Sequence, residues 1–184
     1  MSRTPRDLEA LRAQWRYTGQ ERPPFAREPA AGRRSVWDFP RPPRLEPVPD
    51  EVEVRAGRAT IARSRAALRV LETGAPPCYY LPPADVVSGL LRRASGRSFC
   101  EWKGEAVYWD LRLEGETRPQ VAWSYPEPFP EFEALRDWPS FYPGRVECFV
   151  GGTQVLPQPG GYYGGWITPD LEGPFKGEPG TDGL

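Results

Sequence analysis

Proline decides most of what this chain can become. There are 24 prolines and 19 glycines in 184 residues. Each proline removes a backbone donor, and glycine supplies turn geometry, so short strands joined by many turns are favoured over long helices. Aromatic residues make up 12% of the chain, enough apolar bulk for a single core, which argues against disorder throughout. No apolar run is long enough to span a bilayer, and no apolar stretch follows the basic residues at the N-terminus. The reading is therefore a protein with no membrane contact, in the cytoplasm.

The net charge of −1 conceals an asymmetry. Residues 1–45 carry ten Arg against five acidic residues, a net of +5, which leaves the remainder at −6. An acidic body argues against a dedicated nucleic-acid binder, since phosphate neutralisation needs a sustained basic surface. The basic arm is expected to lie on the protein's own acidic body. Histidine is absent, which removes Ser-His and Cys-His nucleophile activation and His-ligated zinc. Cys78, Cys100 and Cys148 are odd in number and widely spaced, so reduced thiols are expected, with no disulfide framework, no metal and no cofactor.

The chain divides into an N-terminal helix and Pro/Arg-rich arm over 1–45 and a β-rich domain over 46–184. Thr4-Pro5-Arg6-Asp7 reads as a helix start, with the helix running to about Tyr17. Leu8, Leu11 and Trp15 give it a thin apolar stripe, which can dock on the body or on a second copy in a homodimer. Val36, Trp37 and Phe39 are the expected anchors of a stiff arm. In the body, Val54 faces Ile61 and Arg55 faces Thr60 across a hairpin turning at Gly57-Arg58. Residues 65–72 suit helix or strand equally. Pro83 opens a helical turn expected to reach Arg93 and stop at Gly96. Glu131–Trp138 reads as a short amphipathic helix, Val146–Val150 as a strand, and the residues from Lys176 onward as frayed.

The densest stretch is Ser98–Asp110. With Gly104-Glu105 as a two-residue loop, Lys103 faces Ala106, Trp102 faces Val107 and Cys100 faces Trp109. Cys100, Trp102, Val107, Trp109 and Leu111 then form an apolar face, while Phe99, Glu101, Lys103, Tyr108 and Asp110 share the other. That second face is either a solvated exterior or the floor of a cleft. The fold class expected from the whole pattern is mainly β: a strongly curved antiparallel sheet or barrel-like domain of seven to nine strands, with two or three short helices.

Several blocks carry a resemblance: Val36-Trp37-Asp38-Phe39-Pro40-Arg41-Pro42-Pro43-Arg44, Tyr79-Tyr80-Leu81-Pro82, Phe99-Cys100-Glu101-Trp102-Lys103-Gly104, Ala122-Trp123-Ser124-Tyr125-Pro126-Glu127-Pro128 and Phe141-Tyr142-Pro143. Over roughly residues 35–175 the chain resembles a widespread bacterial and fungal family, domain of unknown function 427, which carries a nucleotidyltransferase-like label. The resemblance implies a compact β-rich domain without an agreed activity. The residues themselves show neither the Asp-x-Asp pair that holds two Mg²⁺ ions nor a phosphate-binding Gly-Lys-Ser/Thr loop.

Three functional readings follow. In the first, the protein binds a small planar anionic ligand, a nucleotide or an aromatic acid. Tyr79, Tyr80, Tyr108, Trp123, Tyr125 and Trp166 supply rings, and Lys103, Arg41 and Arg44 supply cations. In the second, the same pocket is a metal-independent group-transfer or acid/base enzyme using Lys103 with Glu101 or Asp110. In the third, the role is structural or that of an adaptor. Cys100 is expected to be a structural thiol on the apolar face, and the Gly160–Trp166 loop a crossing that lets backbone pass close to rings.

Overall fold

A computed structural model describes residues 7–181. The chain opens with helix α1 (Leu8–Ala13), whose N-cap Asp7 accepts a hydrogen bond from the Ala10 amide. Strands β1 (Arg34–Ser35) and β2 (Arg44–Pro47) lie along the arm. Two hairpins follow, β3 (Val52–Ala56) with β4 (Ala59–Ser64) and β5 (Leu68–Glu72) with β6 (Ala75–Tyr80). After a 3₁₀ turn at Pro83–Asp85, the long strands β7 (Leu91–Cys100), β8 (Gly104–Leu113) and β9 (Glu116–Ser124) form a meander. A second 3₁₀ segment, Pro130–Leu135, leads to β10 (Ser140–Phe141), β11 (Glu147–Val150) and β12 (Thr153–Gln154). The short pieces β13 (Leu156–Pro157), β14 (Trp166–Ile167) and β15 (Leu171–Glu172) close the described chain.

Seven strands pair antiparallel in the order β2-β5-β6-β10-β9-β8-β7, and four more in the order β12-β11-β3-β4. The two sheets share one core. Val52, Val54 and Ile61 of the smaller sheet meet Tyr79, Leu111 and Phe141 of the larger. Between them lies Trp166, stacked on Tyr79 with ring centroids 4.8 Å apart, its Nε1 donating to the Phe141 carbonyl at 2.8 Å. Each such buried side chain contributes about 1.5–3 kcal/mol.

The mainly β class with large antiparallel sheets is therefore the observed one, but the larger sheet does not close into a barrel. It ends at β2 on one side and β7 on the other; its seven strands fall within the seven to nine expected, and the four-stranded sheet is additional. β2 sits among Pro42, Pro43, Pro47 and Pro49, and proline confines a strand to a sheet edge. The arm packs as expected. Val36, Trp37 and Phe39 are buried with Leu71, Leu171 and Phe175, and Arg27, Arg33, Arg34 and Arg41 reach Glu172, Glu46 and Glu72.

Other local expectations change. Of the two forms that suit residues 65–72 equally, strand is the one observed, over 68–72. The Pro83 turn ends after Asp85 instead of reaching Arg93, and Gly96, at φ +91°, sits inside β7 where its register with β8 shifts. A bulge moves Val54 opposite Ala62, while Arg55 still faces Thr60. The helix expected over Glu131–Trp138 is the 3₁₀ segment, with Phe132 and Leu135 buried. Helix α1 stops at Ala13, short of Tyr17; the Thr4-Pro5 start lies outside the described residues. The segment from Lys176 is packed rather than frayed as far as Thr181: the Lys176 amide donates to the Gly74 carbonyl at 2.8 Å, and Thr181 is buried. No described helix is long and apolar enough to cross a membrane.

Candidate functional site

The hairpin between β7 and β8 turns earlier than its glycine suggests. Cys100 pairs with Gly104, Phe99 with Glu105 and Ser98 with Ala106, so the loop is Glu101-Trp102-Lys103 and not Gly104-Glu105. Gly104, at φ +97°, closes it, and a Cβ there would stand 3.2 Å from the Glu127 carbonyl oxygen. Because the register differs by an odd number of residues, β7 turns its other face inward. Cys100 therefore shares a cavity with Tyr108, correcting its expected place on the apolar face, and Lys103 enters that cavity from the loop instead of from a strand.

The floor of the cavity is one rung of the larger sheet. Tyr108 faces Trp123 across β8 and β9, Trp123 faces Ser140, and Ser140 faces Tyr80. With Tyr125 and Tyr142, these rings line a cavity of about 240 Å³. Trp123 tilts onto Tyr142 at 4.5 Å and its Nε1 donates to Tyr80 Oη at 3.3 Å; the Tyr108 hydroxyl donates to Ser98 Oγ at 2.7 Å. Burial raises the pKa of the Tyr80, Tyr125 and Tyr142 phenols and pushes the Cys78 thiol up to about 12, so these walls are neutral at pH 7.

Lys103 is only 7% exposed. Its Nζ makes no hydrogen bond to a described residue, and the nearest carboxylate oxygen, Glu72 Oε2, is 3.9 Å away. The other oxygen of Glu72 accepts from Arg41 at 3.2 Å. Burial works against the Lys103 charge, the acidic groups around it, with Glu72 the carboxylate among them, favour it, and the pKa is raised. Above the floor, Trp15 donates its Nε1 to Glu101 Oε1 at 2.9 Å and carries two cations at 4.1 Å from its ring, Arg41 and Lys176. Lys176 also lies 4.9 Å from the Tyr163 ring. Burial lowers its pKa.

Of the residues expected at a site, Lys103, Glu101, Tyr80, Tyr108, Trp123 and Tyr125 come together around this cavity. Arg41 stands behind Glu72. Tyr79 and Trp166 are not there; they stack in the core between the sheets, because successive residues of a strand face opposite ways. Asp110 is also elsewhere, accepting from the Gln120 amide at 2.8 Å, and Arg44 is exposed on edge strand β2. Gly164 passes so close to the floor that a Cβ would fall 2.2 Å from the Trp123 ring, which is the close crossing expected of that loop.

Sequence reasoning missed Glu72, Cys78, Tyr142, Trp15 and Lys176. One signal was present: only two of the 24 basic residues are lysine, and both line this cavity. The cysteines are free, with Cys148 in the core. Among the described residues, no three His, Cys, Asp or Glu side chains gather to hold a metal ion.

Fold and site together define a two-layer antiparallel β domain with an aromatic, lysine-bearing cavity on the outer face of its larger sheet. The chain belongs to the family described as a domain of unknown function, DUF427, whose model matches residues 44–152 and carries the label of a nucleotidyltransferase. No curated protein matches the chain.

Proposed function

We propose that this protein binds a small organic acid with a single aromatic ring, the ring held among Tyr80, Tyr108 and Trp123 and the carboxylate on Lys103. The observation that carries the reading is Lys103, a residue nine-tenths buried in the lining of an aromatic cavity, whose Nζ makes no hydrogen bond to a described residue and stands 3.9 Å from Glu72 Oε2. An ammonium whose carboxylate is this distant keeps N–H donors for an anionic ligand, and a charge-assisted hydrogen bond to them is one of the stronger kind. Size favours one of the two ligand classes. At about 240 Å³ the cavity lies below the roughly 300–1,000 Å³ usual for drug-sized ligands, which favours a one-ring acid over a nucleotide. Benzoate has nine non-hydrogen atoms, and at about 0.45–0.75 kcal/mol per atom, between the values for drug-sized and for the smallest ligands, the Kd is roughly 10 μM to 1 mM.

The enzymatic alternative keeps Lys103 and Glu101 but has lost Asp110 from its acid/base set. The free thiols suit a reducing compartment such as the cytoplasm. Thermal-shift titration with benzoate and with adenosine monophosphate tests the proposal. Benzoate at about ten times its Kd should raise the Tm by roughly 3–6 °C, and the nucleotide should not. A shift with the nucleotide alone, or with neither compound at 10 mM (about ten times the weakest expected Kd), would reject it.

A further inference from the structure

Arginine supplies the ion pairs of this molecule almost everywhere; Arg22, Arg27, Arg55, Arg63 and Arg69 each reach a carboxylate. Lysine occurs twice in the sequence, and both lysines line the same cavity. The distinction is chemical. A guanidinium stays charged, whereas burial can strip an ammonium to a nucleophilic amine.

Both lysines lie over rings, Lys103 over Phe132 at 5.5 Å and Tyr125 at 6.0 Å, and they differ in ion pairing. Lys103 is beside Glu72 and is held as a cation. Lys176 forms no ion pair with a described residue and lies on the rings of Trp15 and Tyr163. Its backbone is clamped: the amide donates to the Gly74 carbonyl and the carbonyl accepts from Gln158 Nε2, both at 2.8 Å. The charged groups facing it are Glu72, Arg41 and Glu101, with the Cys100 thiol near them. Burial and Arg41 favour its neutral amine; Glu72, Glu101 and Cys100 oppose this, and the net direction is down. Like groups in one cavity whose environments push them apart mark a division of roles. Trp15, Gln158, Tyr163 and Lys176 also fall outside the 44–152 match, while Lys103 and the ring floor fall inside it.

We infer that Lys176 forms a Schiff base, and that the ligand class of the cavity is an aromatic acid bearing an aldehyde or ketone, its carboxylate held by Lys103. The inference rests on the acid-binding reading above. In the step, the Lys176 amine attacks the carbonyl carbon, a C–N bond forms, and the carbonyl oxygen takes up two protons and leaves as water. The sum is one ammonium and one carbonyl giving one protonated imine and one water, with no oxidant or reductant consumed.

The test uses the full chain with 4-formylbenzoate and cyanoborohydride, which reduces the imine to a stable secondary amine. Adducts are located by peptide mass mapping. One saturable adduct on Lys176 is expected, forming at least about tenfold faster than on free Nα-acetyl-lysine. Benzoate should compete with it, and Lys103→Met should slow it by about tenfold. Benzaldehyde, which lacks the carboxylate, should react slowly with the wild type. Lys176→Arg keeps a cation on Trp15 and should abolish labelling; its Tm checks that the fold persists. Benzoate binding with no adduct, or with the adduct on Lys103 or the N-terminal amine, overturns the Schiff base and leaves acid binding intact. Failure of both benzoate and 4-formylbenzoate to engage the protein overturns both.

Discussion

Tyr79 and Tyr80 are neighbours in the chain and opposites in surroundings. Tyr79 points between the sheets and stacks on Trp166 in a closed apolar core; Tyr80 points to the outer face, beside Trp123, Tyr125 and an ammonium. The same strand thus serves one face that stabilises the fold and another that keeps a cavity open. The comparison teaches that aromatic residues are used for two purposes, and that the company of lysines and carboxylates separates them. The core cluster holds a phenol, Tyr79, and a thiol, Cys148, but no lysine or carboxylate, whereas the cavity gathers two lysines, two carboxylates and two thiols.

The largest effect expected is on the core side. Trp166→Ala should cost about 3–5 kcal/mol in urea unfolding, since it leaves a void between well-packed sheets. Trp123→Ala, beside existing empty space, should cost less than half of that; equal losses would break the distinction between the faces.

Next in size is Lys103→Met. It should weaken benzoate binding by about 10- to 100-fold, measured by calorimetry, while changing unfolding free energy by less than about 1 kcal/mol, because Glu72 keeps Arg41 as partner. A variant that unfolds instead would move Lys103 to the structural side of the comparison.

A smaller effect comes from the outer side of the four-stranded sheet. The Glu53 carboxyl is held at about 2 by a hydrogen bond from Arg55, against burial and with help from Arg63. Its folded pKa lies below the ordinary 4.5, so its contribution is complete above about pH 5 and is lost as the pH falls through 4.5 towards 2. With solvent screening, on the order of 1–2 kcal/mol should disappear over that window. Glu53→Gln should flatten the acid limb of the stability curve. An unchanged limb would show that acid lability comes from elsewhere, with the cavity carboxylates next to be tested.

The smallest effect expected is that of Asp7→Ala, which removes the cap of α1 and should cost about 0.5–1 kcal/mol in thermal unfolding. A larger loss would mean that α1 holds Trp15 in place over the cavity and that the arm supports the site as well as covering the body.

Strand-forming segments and arm anchors were legible because they depend on local pattern: Val36, Trp37 and Phe39 are apolar residues in a polar, proline-rich arm, and they are buried. Register was not. Gly104 is suited to a two-residue turn, but it closes a three-residue loop against the Glu127 carbonyl, a contact supplied by a segment 23 residues further on. That shift changed which face of β7 looks inward and hid Cys100 from the site. Tyr79 and Tyr80 carry identical side chains, so no composition argument could assign them to faces; only the pairing of β6 with β5 and β10 does. Trp15 and Lys176 reach the cavity from opposite ends of the chain, which no local pattern encodes, although the scarcity of lysine pointed to Lys176.

The most direct measurement follows from that scarcity. Protein labelled with ¹³C,¹⁵N-lysine gives side-chain signals from two residues only, assigned with Lys103→Arg and Lys176→Arg. On titration with benzoate, the Lys103 Cε–Hε signals should move saturably, with the Kd found by calorimetry, because the carboxylate lands on that ammonium. Lys103 signals that stay fixed while benzoate binds, or that move linearly without saturating, would contradict the account.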